Sequence, residues 1–217
     1  MKKLNYQDVS IIQKKTGYDG FFTMNQYVLQ HSLFKGGQTG KLTRECFERG
    51  HAVGVLAYDP WQDKIVLLEQ FRIGAYININ ERLNEGKGHS QNPWLLEIIA
   101  GIVESGESQE DVAYREAKEE AGLKLLSLQT IGDFYCSPGG TSETIQLYCA
   151  CVHSDGIGGI HGLEEEGEDI LVRVVSFDDA VQLLEKGEMN NASAMIAMQW
   201  LILHRNPLRD KWRKAYT

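Results

Sequence analysis

Residues 101–123 read GIVESGESQEDVAYREAKEEAGL, and the spacing predicts a helix over 108–121. Glu110 and Asp111 fall in its first turn, where acids favour a helix start, and Gly122 stands just past its end. No Gly or Pro interrupts the span. At about 100° per residue, Glu116, Glu119 and Glu120 fall within an arc of roughly 100°, so three carboxylates share one face. Ala113, Ala117 and Ala121 recur at i, i+4 and i+8 on an adjacent face. Side chains that small let a helix lie close against a sheet. One face packs and the other holds charge.

Three neighbouring carboxylates repel one another, and a divalent cation removes the conflict. Mg²⁺ prefers hard oxygen ligands and commonly binds a few carboxylates together with substrate phosphates. Such a site suits a diphosphate, whose charge the metal neutralises while it orients a water and lowers its pKa. Arg115 can hold Glu107 or Glu119 in a charge-assisted hydrogen bond that fixes the carboxylate rotamers. The run from Arg115 to Glu120 alone would read as a solvated, salt-bridged helix. Gly101, Glu107 and Gly122 at their fixed spacings set this stretch apart.

Working outward, 217 residues at 42% hydrophobic can bury one good core with room for a smaller appended unit. No apolar run of 18 residues and no charged-then-apolar amino terminus occurs, so no membrane span or secretory signal is expected and a cytoplasmic enzyme is the default. The formal net charge of −8 argues against a non-specific binder of nucleic acid or anionic membrane, though not against a nucleotide substrate. Cys46, Cys136, Cys149 and Cys151 lack zinc spacing, and Cys149 and Cys151 read as two buried thiols on one face of a strand. His51, His153 and His161 belong to no metal-binding pattern and read as structural or solvent-facing.

Apolar and β-branched runs at Val9–Ile12, Phe21–Leu29 and Leu42–Phe47, broken by Gly17-Tyr18-Asp19-Gly20 and Gly36-Gly37, predict a small antiparallel sheet. Longer strands follow at 51–58 and 64–71, parted by a turn over 59–63. A strand over 94–102 is expected to lead straight into the helix of 108–121. Strands near 126–134, 144–152 and 170–175 and helices at 177–186 and 192–204 complete the chain. Asn78–Pro93, rich in Asn, Glu, Gly and Lys, reads as a mobile surface excursion. The tail after Arg205, with Arg209, Lys211, Arg213 and Lys214, reads as a basic helix end or solvated tail. The expected fold class is α+β, a mixed β-sheet sandwiched between helices, with an N-terminal β subdomain over 1–48 and the main domain over 49–217.

The opening stretch is the Nudix box, and the resemblance extends to the bacterial ADP-ribose pyrophosphatases of the Nudix hydrolase superfamily. RECFERGHAV (44–53), EQFRIGAY (69–76), PWLLEIIAGIVESGES (93–108), SPGGTSE (137–143), IHGLEEEGEDI (160–170) and NNASAMIAMQWL (190–201) all look like that family. Pro138, fifteen residues beyond Leu123, is the feature that separates this branch from its cousins. The departure is the connection around 78–91, roughly ten residues longer than in the family.

The resemblance implies Mg²⁺-dependent cleavage of ADP-ribose to AMP and ribose 5-phosphate, with Mn²⁺ as a substitute metal. It also implies a homodimer that exchanges amino-terminal strands. The metal ligands it implies are Glu116, Glu120, the carbonyl of Ala100, and Glu168. The general base lands on Glu166, with Glu165 or Glu119 as fallbacks. Arg44, Arg72, Glu143 and Phe22 match substrate-contacting positions, and Arg115 supports the box. Glu166 lies in an acidic run, Glu164 to Asp169, which by itself reads as a solvated loop. The glycines around it suggest a mobile loop that delivers a base after substrate and metal arrive. Two other readings stay open: hydrolysis of another sugar nucleotide such as GDP-mannose, and a catalytically silent ADP-ribose sensor.

Overall fold

Strand β4 (Ala52–Asp59) is buried along its whole length, which requires cover on both faces of the sheet. The computed structural model, which describes residues 3–85 and 92–216, shows how. Val53, Val55 and Ala57 alternate onto one face and join a core with Val112, Ala113, Ala117 and Ala121 of helix α2 (Gln109–Ala121). Tyr58 projects to the other face, where its ring lies 6.4 Å from Trp212 of helix α4 (Ala192–Ala215). The alanine face of α2 is fully buried, so the small side chains do bring the helix down onto the sheet.

This unit comprises residues 52–133 and 145–217. Its strands are β4, β5 (Lys64–Phe71), β6 (Trp94–Glu97), β7 (Ile99–Ile102), β8 (Ser127–Tyr135), β9 (Thr144–Cys151), β10 (Gly159–His161) and β11 (Ile170–Ser176). They form one mixed sheet in the order β10-β11-β5-β4-β9-β8, with β6 on β5 and β7 on β4. β4 runs parallel to β9 and antiparallel to β5 and β7. The remaining helices are α1 (Ile73–Asn84) and α3 (Phe177–Glu185). Cys149 and Cys151 are buried in β9, and all four cysteines are free.

The expected strand over 94–102 is two strands, because Trp94–Glu97 pairs with β5 whereas Ile99–Ile102 pairs with β4. Nor does it lead straight into α2, since a turn intervenes before Ser108, the N-cap. The Ser108 side chain accepts from the Asp111 N–H, and Asp111 answers by accepting from the Ser108 N–H, a reciprocal capping box. The expected excursion over 78–93 is also corrected in part. Its first residues, 78–84, belong to α1, whereas 86–91 lie outside the described residues. The tail is helix too, for α4 continues through Pro207 to Ala215. Its arginines are not simply solvated. Arg205 and Arg209 pair with Asp63, while Arg209 and Arg213 donate to the Pro60 carbonyl at 2.8 Å.

The other unit comprises residues 1–51 and 134–144. Strands β1 (Val9–Asp19), β2 (Thr23–His31) and β3 (Leu42–Glu48) form an antiparallel sheet in that order. The turn expected at 17–20 lies later, because β1 runs on to Asp19 and Gly17 falls in a register shift between Thr16 and Tyr18. An extra residue of that kind kinks a strand without ending it. Segment 134–144 is tied to β3, where the Phe47 N–H donates to the Gly140 carbonyl at 2.8 Å.

Candidate active site

The box helix carries the acids, and Arg115 arranges them. Its guanidinium grips Glu107 with two N–H donors at 2.9 and 3.1 Å, and Nη1 donates to Glu116 at 2.7 Å and to Glu119 at 3.2 Å. Both of the partners read from sequence are therefore held at once, and Glu116 with them. A fork of fixed donors sets three carboxylate rotamers together, which a lysine point charge would not do. The bonds from Arg115 hold Glu107 below the usual carboxylate range.

Glu116 lies against β7. A Cβ built on Gly101 would meet its Oε1 at 1.7 Å, so the first box glycine is the space into which that carboxylate folds. Burial raises the Glu116 carboxyl despite the opposing pull of Arg115. Glu120, only 2% exposed, accepts the Ala100 N–H at 2.9 Å. Its burial pushes the carboxyl up to about 8, helped by the charges of Glu116 and Glu168 and opposed by the Ala100 N–H and Arg72.

Glu168 is thus electrostatic company for the box acids, and its carboxylate accepts the Leu163 N–H at 3.0 Å. Glu166 sits two residues earlier in an exposed 3₁₀ turn over Glu164–Glu166. The run is largely solvent-exposed, as read, and this turn is its regular structure. Among the described residues no three His, Cys, Asp or Glu side chains converge closely enough to hold a metal ion as they are placed. Glu107, Glu116 and Glu119 instead share Arg115 as donor, and Glu120 takes the Ala100 N–H.

Arg72 is the N-cap of α1, and its guanidinium binds Glu97 at 2.7 and 2.9 Å. Glu97 escaped the sequence reading. The available signal was a lone acid inside the apolar run WLLEII.

In the N-terminal unit, Glu143 is 7% exposed and pairs with Arg49 at 3.2 Å. The Arg49 guanidinium also lies over the Phe22 ring, 5.2 Å from its centroid, and Phe22 packs edge-on against Phe47 at 5.1 Å. Phe22, Arg49 and Glu143 are therefore one constellation. Arg49 was not singled out in sequence, although it stands in the stretch RECFERG. Arg44 is exposed on β3 and donates to the Thr43 carbonyl at 2.8 Å. The histidines do structural work: His51 bonds Thr144, His153 stacks on Trp61 at 4.2 Å, and His161 contacts the Gly158 carbonyl at 3.0 Å.

The chain is 46% identical over 205 residues to the ADP-ribose pyrophosphatase of Escherichia coli K12, covering 94% of this chain and 93% of that protein. It is 42% identical over 215 residues to the ADP-ribose pyrophosphatase of Haemophilus influenzae, covering 99% and 95%. A crystal structure titled as an ADP compounds hydrolase matches the fold with a TM-score of 0.64 at 20% identity, covering 92% of this chain and 97% of the other. The model of the NUDIX domain matches residues 48–198, the span that holds β4, the box helix and the acidic loop, and the chain belongs to the Nudix family.

Proposed function

We propose that this protein hydrolyses the diphosphate of ADP-ribose to AMP and ribose 5-phosphate in a reaction that depends on Mg²⁺, with Mn²⁺ as a substitute. The observation that carries the reading is the Arg115-ordered set of box acids, in a chain that matches ADP-ribose pyrophosphatases along nearly its full length.

The donor chemistry of these residues suits a divalent cation. The donors are hard oxygens, Glu116 folds into space that only a glycine leaves, and Glu120 is a buried acid whose ionised form calls for a nearby positive charge. We assign the ligands as Glu116, Glu120, Glu168 and the Ala100 carbonyl. When bound, a divalent cation neutralises diphosphate charge and lowers the pKa of a coordinated water. The chain's own residues do the rest. Arg115 holds the acids in place, and Arg72 grips diphosphate oxygens bidentately. Glu166 takes the proton of the attacking water, with Glu165 or Glu119 as the fallback. Arg44, Glu143 and Phe22 are assigned to substrate contact.

We further propose a homodimer formed through the N-terminal strands. All eleven residues of β1 are exposed, with Val9, Ile11, Ile12 and Tyr18 among them, and a long exposed edge strand invites pairing. A sedimentation velocity run that shows only monomer at micromolar concentration removes this. The four free cysteines support a cytoplasmic location; among the described residues no helix is long and apolar enough to cross a membrane.

The test is incubation with ADP-ribose and Mg²⁺, with and without EDTA, and mass spectrometry of the products. Metal-dependent AMP and ribose 5-phosphate are expected. A panel ranked by kcat/KM in which GDP-mannose or another sugar nucleotide beats ADP-ribose overturns the substrate. Tight binding without turnover at saturating Mg²⁺ overturns the enzyme in favour of a sensor.

A further inference from the structure

The last turn of a helix leaves carbonyls without intrahelical partners, and those of α2 are taken up in two ways. Gly122, at φ +62°, closes the end: its N–H bonds the Lys118 carbonyl at 3.0 Å, and the Leu123 N–H bonds that of Ala117 at 2.8 Å. The Glu119 carbonyl is met from outside, by the Gly162 N–H at 3.4 Å. Gly162 opens the acidic loop, so the loop is tied to the backbone of the box helix at the residue beside Glu120.

His161 stands next to that bond. A Cβ on Gly122 would lie 2.9 Å from its Cε1, so the half-buried imidazole rests against the bare backbone of the helix cap. A carbonyl can only accept, so the 3.0 Å contact with Gly158 fixes the proton on Nε2 and the plane of the ring. Beyond Gly162 the loop closes on itself. The Leu163 N–H binds the Glu168 carboxylate at 3.0 Å, and the Leu163 carbonyl accepts from Glu166 and Glu168 at 3.0 and 3.2 Å. The segment carrying Glu166 and Glu168 therefore holds one internal shape; its end at Ile170 packs in the core with α2, and its start is tied to the helix through 161 and 162.

We propose that His161 is a positioning residue, which by wedging between the Gly158 carbonyl and the Gly122 cap sets the acidic loop in register with the box helix. This rests on the assignment of Glu166 and Glu168 above and adds a residue to it. The loop is then delivered by a fixed anchor at its start and not by free motion of a glycine-rich segment. An error of about 1 Å in placing a reacting group costs on the order of 100-fold in rate, so loss of the wedge acts on turnover while leaving the core alone.

The experiment compares the full-length wild type with His161→Ala and His161→Gln, the latter retaining an N–H for the Gly158 carbonyl. It reads kcat and KM with ADP-ribose, the melting temperature, and NMR amide exchange at Gly162 and Leu163. His161→Ala is expected to lower kcat at least about tenfold with KM within about threefold and an unchanged melting temperature, and to speed exchange at Gly162 at least about tenfold. His161→Gln is expected to restore most of both. Unchanged exchange overturns the wedge, and faster exchange with unchanged kcat overturns its role in positioning. A fall in kcat that tracks the melting temperature, without rescue by Gln, also overturns it. Should the wild type leave ADP-ribose uncleaved, the substrate assignment fails by itself. The exchange arm still decides the wedge, and kcat is read on the nucleotide the panel identifies.

Discussion

The carboxylate of Glu116 occupies the place of a side chain on Gly101: Oε1 lies 1.7 Å from where a Cβ on that glycine would stand. β7 and α2 approach so closely there that the two positions share one volume. Gly101→Ala must therefore expel Glu116 and, through their shared bond, disturb Arg115. Activity is expected to fall about 10- to 100-fold, the usual cost of displacing a metal ligand's support. Circular dichroism should remain that of the wild type. Near-normal kcat/KM in a folded Gly101→Ala protein would show that Glu116 works from another rotamer.

Glu120→Gln keeps an oxygen for the Ala100 N–H and removes the charge. If Glu120 serves as a ligand, kcat at saturating Mg²⁺ drops by more than about tenfold. The Mg²⁺ concentration for half-maximal rate should rise as well. A smaller loss of activity would remove Glu120 from the ligand set.

Glu166 lies exposed in its 3₁₀ turn, free to face a water. Glu166→Gln should lower kcat by about 10²- to 10⁴-fold with little change in KM, the pattern of a group whose work is done in the transition state. An unaltered kcat would move the base to Glu165 or Glu119.

Asp63 anchors the C-terminal helix. Its burial would raise its pKa, but the bonds from Arg205 and Tyr58 outweigh that and hold it below the usual aspartate value. A lowered folded pKa contributes stability that is present above the unfolded value of 3.8 and lost as pH falls through the folded one. Asp63→Asn, which still suits the left-handed backbone at φ 60°, should lose about 1.5–3 kcal/mol at pH 7, or roughly 3–12 °C in melting temperature. As pH falls below about 3.8 the gap between the two proteins should narrow, closing only below the folded pKa. A constant gap between their melting curves from pH 7 to pH 3 would contradict this account.

The residues that named the site were those with a local reason to be read. The box helix begins and ends where Ser108 and Gly122 stand, because its caps, acids and alanines all act within a turn or two. The ligand candidates on that helix were legible for the same cause. The Asn-rich start of 78–93 was misread because Asn costs a helix only a few tenths of a kcal/mol per residue and so does not by itself end one. The run past Arg205 was open between a basic helix end and a solvated tail, and it is helix to Ala215 although Pro207 signals a stop. Arg205, Arg209 and Arg213, one turn apart, bind the helix to the turn of Pro60 to Asp63 and override that signal.

By itself the sequence determined the helix, its charged and packing faces, and the chemistry that three clustered acids with a supporting arginine can do, since each depends on residues within about four positions of one another. Only the tertiary structure decided that Glu97 would hold Arg72, that Arg49 would hold Glu143, and that His161 would rest on Gly122. Those partners lie from 25 to 94 residues apart in sequence, and nothing local to either one specifies the other. Strand pairing and the descent of α2 onto the sheet bring Glu97 and His161 to their places, and folding of segment 134–144 against β3 places Glu143.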